Sequence, residues 1–444
     1  MDYLEIAKRT MNFINTRKRK GPEGIFWSLE DAAKGRPIYY DEICMYAGAS
    51  GILCFLLGLY DVTKDSTYLD EAKEAGSYLK YRWENEPELK RNFSKYAFSS
   101  GWSGAGFALT RLYLVTGKKI YADTVASIIS KMQEDARPGK NGKGYTWSTF
   151  PGIVGDGGTI LFLIYAARVY KNPKWKEFAL LAGENLLEQR REDKSGCWYP
   201  GVDPSYFGAD DNYIDPNFPM GTAGIGFVLM KLYEAGKDSK YLEGNKGIAE
   251  FMDSVAVKKG NGKLLPHGLP DRKNLFYLGY CHGPAGTVRY YYKMYEATGD
   301  LKYKEKLESL VKGLEAVGAP RIRSEGYWNT YNLCCGTAGI LNMYLGLWAA
   351  FGDEKYLKQA EKCGEELEEH GIFESVDGTD QVKWSFALDR IAPGKKSTPI
   401  GCFDGAAGIG LALLQLYQAE KGEFHVARFL DDPFPDKREE KITI

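Results

Sequence analysis

Residues 336–350 read G-T-A-G-I-L-N-M-Y-L-G-L-W-A-A, and this stretch decides the fold. A G-x-x-G motif opens it. The run that follows is apolar nearly all round, which predicts a buried helix. The same arrangement occurs seven times: G-A-S-G at 48–51, G-W-S-G at 101–104, G-D-G-G at 155–158, G-T-A-G at 221–224, G-P-A-G at 283–286, G-T-A-G at 336–339 and G-A-A-G at 405–408. The first glycines are 53, 54, 66, 62, 53 and 69 residues apart. Repeats of this length are one supersecondary unit each. Six of the seven runs lead through a short polar turn into a second, Lys- and Glu-rich helix with a wet face. That helix starts with an aromatic residue and usually has a small or apolar residue four later, as in Tyr68/Ala72, Tyr121/Val125, Trp175/Ala179, Tyr303/Leu307 and Tyr356/Ala360; Tyr241 opens the fourth. The seventh run has no such follower, but the N-terminal segment with Tyr3 and Ala7 supplies one. A chain whose ends complete each other closes into a ring. The expected fold is all-α: a seven-fold α/α toroid of about fourteen helices, one domain over residues 1–444.

Composition narrows the functional classes. The chain has 58 Lys and Arg against 59 Asp and Glu, a net charge of −1, so bulk charge does not direct it to nucleic acid. No apolar stretch reaches the ~20 residues of a membrane span. The N-terminus lacks a basic-then-apolar signal, and eight cysteines are too few for a disulfide framework. A cytoplasmic location is expected, and nothing demands a partner copy, so a monomer is expected. Glycine is the outlier, with 51 residues in 444. Without Cβ it lets the inner helices crowd around a central axis.

The mouth of the ring is where the G-x-x-G loops converge on inner-helix N-termini. These carry unpaired N–H groups and suit an anionic or electron-rich ligand. The two residues before each first glycine face that mouth: Tyr46-Ala47, Ser99-Ser100, Ile153-Val154, Pro219-Met220, Cys281-His282, Cys334-Cys335 and Phe403-Asp404. Repeats five and six place three cysteines and a histidine at equivalent positions. Three thiolates favour Zn²⁺, which takes sulfur at ~2.3 Å in a tetrahedral shell. Cys281, Cys334 and Cys335 are the expected ligands of an open, catalytic zinc. A closed structural site, with His282 or Cys402 as fourth ligand, and a metal-free cysteine cluster are the alternatives. Cys44, Cys54, Cys197 and Cys363 lie singly and are expected to be fillers.

With C-H-G-P-A-G in repeat five and C-C-G-T-A-G in repeat six, the chain resembles the lanthionine synthetase C-like (LanC-like) family over essentially its whole length. The resemblance implies an α/α toroid with one zinc, held by the cysteine matching Cys281 and by the pair before the glycine of repeat six. In the family that pair is usually Cys-His; here it is Cys334-Cys335, as in a C-C-G variant found among some lanthipeptide synthetases. It also implies zinc-assisted thioether formation. A peptide thiol is deprotonated, its sulfur adds to a dehydroalanine or dehydrobutyrine, and the enolate is protonated. The substrate would be a dehydrated precursor peptide, or a small thiol such as glutathione. An all-sulfur ligand set would leave the substrate sulfur more electron-rich than a set containing histidine.

The family's proton-handling positions differ here. Its histidine before the glycine of repeat four is Met220. Its aspartate before repeat three is Pro151, and its arginine before the first zinc cysteine is Tyr277. The remaining candidates for catalysis are His282, beside a ligand; His267, in the loop leading to repeat five; and Asp404, which alternatively caps a helix. His370 and His425 read as surface residues. Asp210, Asp211 and Asp215 read as a solvated turn that can line the entrance. Two other classes stand beside the thiol-adding enzyme. One is a carbohydrate-active toroid using two acids such as Asp210, Asp211 or Asp404. The other is a zinc-stabilised scaffold that binds thiols or a partner protein.

Overall fold

The computed structural model describes residues 2–29, 40–89, 94–201, 213–270, 274–423 and 428–435. Seven inner helices each begin at a motif: α2 (Ala49–Thr63), α4 (Trp102–Thr116), α6 (Asp156–Val169), α8 (Thr222–Gly236), α11 (Pro284–Thr298), α13 (Thr337–Phe351) and α15 (Ala406–Glu420). The outer layer is α1 (Tyr3–Asn15), α3 (Ser66–Asn85), α5 (Lys119–Glu134), α7 (Pro173–Leu187), α12 (Leu301–Ala316) and α14 (Glu354–Glu369). A seventh outer position is split into α9 (Ser239–Gly244) and α10 (Ile248–Val255). The break falls at Gly247, whose φ of +88° lies in the left-handed region. Helix α1 packs on α15 and α15 on α2, so the chain ends close the ring as the repeat pairing requires. The fold is an α/α toroid. Strands occur among the described residues only as two-stranded pieces between helices.

Each element forms for a local reason. The inner helices are buried on all sides, α13 from Thr337 through Trp348. The outer helices start at polar caps: Asp65, Asp238, Asp300 and Asp353 each accept a hydrogen bond from the backbone N–H two residues on. The glycine of the T-G-D turns is also explained. Gly299 ends α11 in the left-handed conformation and Asp300 then caps α12. The last glycine is crowded twice over in six of the seven motifs, the exception being Gly224, whose nearest atoms all belong to Pro219 of its own loop. A Cβ on Gly104 would overlap the carbonyl of Phe98 in its own loop and lie 2.8 Å from Cβ of Met45 in the preceding repeat. Crowding around the axis is therefore real, and the mouth loop shares in it.

The mouth loops are also tied to one another. In five of the seven repeats the residue two before the first glycine donates its N–H to the carbonyl of the corresponding residue in the next repeat. Tyr46 donates to Ser99 (2.9 Å), Ile153 to Pro219 (3.0 Å), Cys281 to Cys334 (2.9 Å), Cys334 to Phe403 (2.9 Å) and Phe403 to Tyr46 (2.8 Å). Pro219 has no N–H to give repeat five, and there His282 donates instead to Phe218 (2.8 Å). Among the described residues no helix is long and apolar enough to cross a membrane.

Candidate metal centre

The mouth belt sets the cysteines. Cys281 and Cys334 are both members of it, so their backbones are fixed one hydrogen bond apart. Cys335 is held by its own turn, with its N–H donated to the Asn332 side-chain oxygen at 2.7 Å. Upstream, strand residues Phe276–Tyr277 pair in parallel with Tyr327–Trp328 and draw repeats five and six together. Gly279 makes the close approach possible. A Cβ there would sit 2.6 Å from the Gly336 nitrogen.

The three sulfurs consequently meet. Cys281 Sγ is 3.0 Å from Cys335 Sγ, and the ligand atoms of Cys281, Cys334 and Cys335 all lie within 4.8 Å of one another. Cys281 and Cys334 are buried, while Cys335 is partly exposed, so the cluster opens toward the mouth. The bonds from Cys334 and Cys335, then burial, push the Cys281 thiol well up. Cys334 is lowered by its bond from Cys281 but raised more by Cys335 and burial. Three thiols so crowded, two of them buried, cannot all ionise unaided. A divalent cation is what would let them do so, and the donor set can hold one. Cys402, the other cysteine considered as a ligand, is buried near Cys54 and Asp404, outside this group.

His282 stands beside the cluster in an unusual backbone state. Its φ is +56°, uncommon for a residue with a side chain. The imidazole is buried with Nδ1 3.0 Å from a carboxylate oxygen of Asp215. Burial, the largest single effect, lowers its pKa, but the charge and hydrogen bond of Asp215, the Cys334 thiolate and a bond to the His267 backbone together outweigh it and hold the ring's proton affinity above the usual value. Asp215 is 1% exposed, and its other oxygen accepts the Asn217 N–H at 2.8 Å. The acidic turn before repeat four is thus not solvated at Asp215, because that carboxylate is consumed by the histidine; Asp210 and Asp211 lie outside the described residues. His267 stacks on His282 with ring centroids 4.3 Å apart and packs at a 53° tilt against Tyr277 at 4.4 Å. Burial, the neighbouring His282 and Arg390 depress it to about 2, so it is a neutral imidazole.

Three further residues come to this site. The Tyr46 hydroxyl hydrogen-bonds the Cys334 thiol. It occupies the same motif position as Cys281 and Cys334, so the repeat alignment could have found it. Arg390 hydrogen-bonds Tyr277, the residue at the family's arginine position, and its charge also bears on His267. It arrives from the long interval between repeats six and seven, whose excess length was its only signal. Asp215 carried no signal beyond its acidity. Asp404 is buried over Gly401 and near Cys44, its carbonyl accepts from the Asn332 side chain that holds Cys335, and the cap of α15 is Gly405, which makes no side-chain bond. His370 stacks on Tyr331 at the end of α14, and His425 lies outside the described residues.

Comparison with known proteins agrees with this architecture. The structure is similar to that of nisin cyclase, with a TM-score of 0.65 at 13% identity over 94% of this chain and 95% of that one. It is also similar to the Lin0763 protein from Listeria innocua, with a TM-score of 0.50 at 15% identity over 96% and 99% of the two chains. At such identities the likeness is one of fold. The sequence itself matches the family described as lanthionine synthetase C-like protein across residues 92–378 and 221–428. With the cysteine cluster, the toroid and this match in hand, the chain belongs to the lanthionine synthetase C-like family.

Proposed function

We propose that this protein forms thioethers by adding a thiol to a dehydroalanine or dehydrobutyrine, with zinc held by Cys281, Cys334 and Cys335. One toroidal domain over residues 1–444 would carry the activity. The substrate is a dehydrated precursor peptide, or such an alkene together with a small thiol like glutathione. The observation that carries the reading is three thiols within 4.8 Å of one another beside a buried His–Asp pair. Free cysteines throughout the described residues fit a reducing, cytoplasmic setting.

When bound, zinc keeps the substrate sulfur as a thiolate at neutral pH. The carbon–sulfur bond forms at Cβ as the C=C π bond breaks, and the electron pair moves to the carbonyl oxygen as an enolate. The Asp215 carboxylate beside Nδ1 favours the protonated His282 ring, and that ring, which also hydrogen-bonds the His267 backbone, gives a proton to Cα. Arg390, anchored on Tyr277, offers a guanidinium to the developing oxyanion. It takes the place that the arginine before the first cysteine holds in other family members. His267, neutral, stacked on His282 and tilted against Tyr277, packs that pair in place.

The test is zinc content together with thiol consumption from a dehydrated peptide, measured for wild type, Cys281→Ala and Cys335→Ala. We expect near one zinc per chain and loss of free thiol in the wild type, and neither in the variants. Wild type prepared without chelator and lacking zinc would overturn the reading. Zinc without any thiol addition would favour the binding scaffold.

A further inference from the structure

The opposite end of the ring holds a second feature. Where the C-terminal ends of α2, α4, α6, α8 and α11 come together, a cavity of about 1310 Å³ opens. One wall is the segment 428–435, threaded against the helix ends. Its Asp431 is bound to Tyr280 and pairs with Arg289 at 3.7 Å, so the wall is anchored. Apolar surface comes from Leu57, Phe107, Leu161 and Phe429.

The charges in this cavity do not balance. Its carboxylates already have partners. Asp61 pairs with Lys64 at 3.0 Å, Glu234 with Lys231 at 2.9 Å, and Glu296 with Lys293 at 2.5 Å, while Asp432 accepts the Phe434 N–H at 3.1 Å. Arg111, Arg168, Lys171 and Lys176 also line it, and none of them has a carboxylate partner among the described residues. Two of these cations converge on one phenol. The Arg168 guanidinium carbon is 5.9 Å from the Tyr165 ring centroid, and Arg111 approaches the Tyr165 hydroxyl from α4. That hydroxyl is buried, with Arg111 as its polar neighbour. Tyr165 thus holds two guanidinium groups side by side on the cavity wall, one at its hydroxyl and one over its ring, and paired guanidinium forks suit an oxyanion. A large, mostly pre-formed cavity with a few convergent polar groups is the usual form of a small-molecule site.

We infer that this back-face cavity binds a small organic anion, whose phosphate or carboxylate head is held by Arg111 and Arg168 and whose apolar body lies against Phe107 and Leu161. The site is separate from the cysteine cluster, so it stands whether or not the thioether reading does.

The experiment is calorimetric titration of the full chain with phenyl phosphate, benzoate and phenol. We expect at least one of the two anions to bind and phenol not to. Binding of one anion alone identifies its head group. Arg168→Gln, at an exposed position, should weaken binding about tenfold or more, the loss of one charge-assisted contact. Arg111→Gln should do the same, and Lys171→Gln stands in if Arg111→Gln does not fold. Cys281→Ala should leave the affinity unchanged. No binding of either anion to wild type, phenol binding as well as the anions, or full affinity in Arg168→Gln would overturn the inference.

Discussion

Repeats one and four build the same turn ahead of their motifs and use it for different ends. Asp41 accepts the Ile43 N–H at 3.2 Å, and Asp215 accepts the Asn217 N–H at 2.8 Å. Each turn leaves one carboxylate oxygen over. In repeat one it accepts from Arg82 of α3 at 3.1 Å, forming a buried ion pair that ties the mouth to the outer layer. In repeat four it goes to His282, across the boundary into repeat five. Arginine at this position can only be charged, whereas histidine can give and take a proton near neutrality. The same scaffold turn is thus a rivet in one place and part of an acid–base pair in the other. Asp156, inside the third motif, is a third case. It accepts from Thr146, Ser148 and the Trp147 N–H and has no cation. Burial then dominates, and its pKa is raised to about 6.

The largest expected effect breaks the rivet. Asp41→Asn keeps the turn but leaves the Arg82 charge buried without its full counter-charge. It should lower unfolding free energy by about 3 kcal/mol in urea titrations while leaving zinc content and turnover intact. A loss below about 1 kcal/mol would show that the two turns are not energetically distinct. Asp215→Asn should do the reverse: near wild-type stability and zinc content, with thiol addition down by about 10²-fold. Unchanged turnover would remove the histidine pair from the mechanism.

Asp156 sharpens the comparison through pH. Its folded-state pKa lies above the unfolded value of 3.8, so the folded state holds a proton that the unfolded chain has released between those limits. The stability this group supplies is complete below about pH 4 and is lost as pH rises through 6. The stability difference between wild type and Asp156→Asn should therefore shift by roughly 2 kcal/mol between pH 4 and 5.5, to the disadvantage of wild type. A difference that stays flat over that range would mean the carboxylate is ionised throughout.

How far the sequence could be read follows from what is periodic in it. The ring was legible because the motif, the apolar run and the capped outer helix recur, and a period needs no tertiary information. The cysteines were legible because they replace ordinary residues at aligned positions. Tyr46 was legible in the same way but is a common residue type, and only the structure shows its hydroxyl on Cys334. Asp215 and Arg390 come from the irregular connections, where position in the ring is set by packing and not by spacing. The left-handed backbone of His282 has a physical origin that could be sought in advance. Pro219 cannot donate to repeat five, and the chain turns over to supply the missing bond. The split of α9 from α10 lies at a glycine that the repeat template did not distinguish from the rest.

The chain of mouth hydrogen bonds has a consequence for assembly. A linear stack of repeats can grow one unit at a time and fray from either end. Here Cys281 leans on Cys334, Cys334 on Phe403, and Phe403 on Tyr46, which belongs to the first repeat synthesised. The spacing of the sulfurs is therefore settled only when the last repeat docks on the first. Until then the nascent chain carries its cysteines as ordinary scattered thiols. Metal capture at this geometry becomes a checkpoint on completed synthesis, and a truncated ring would fail it at once.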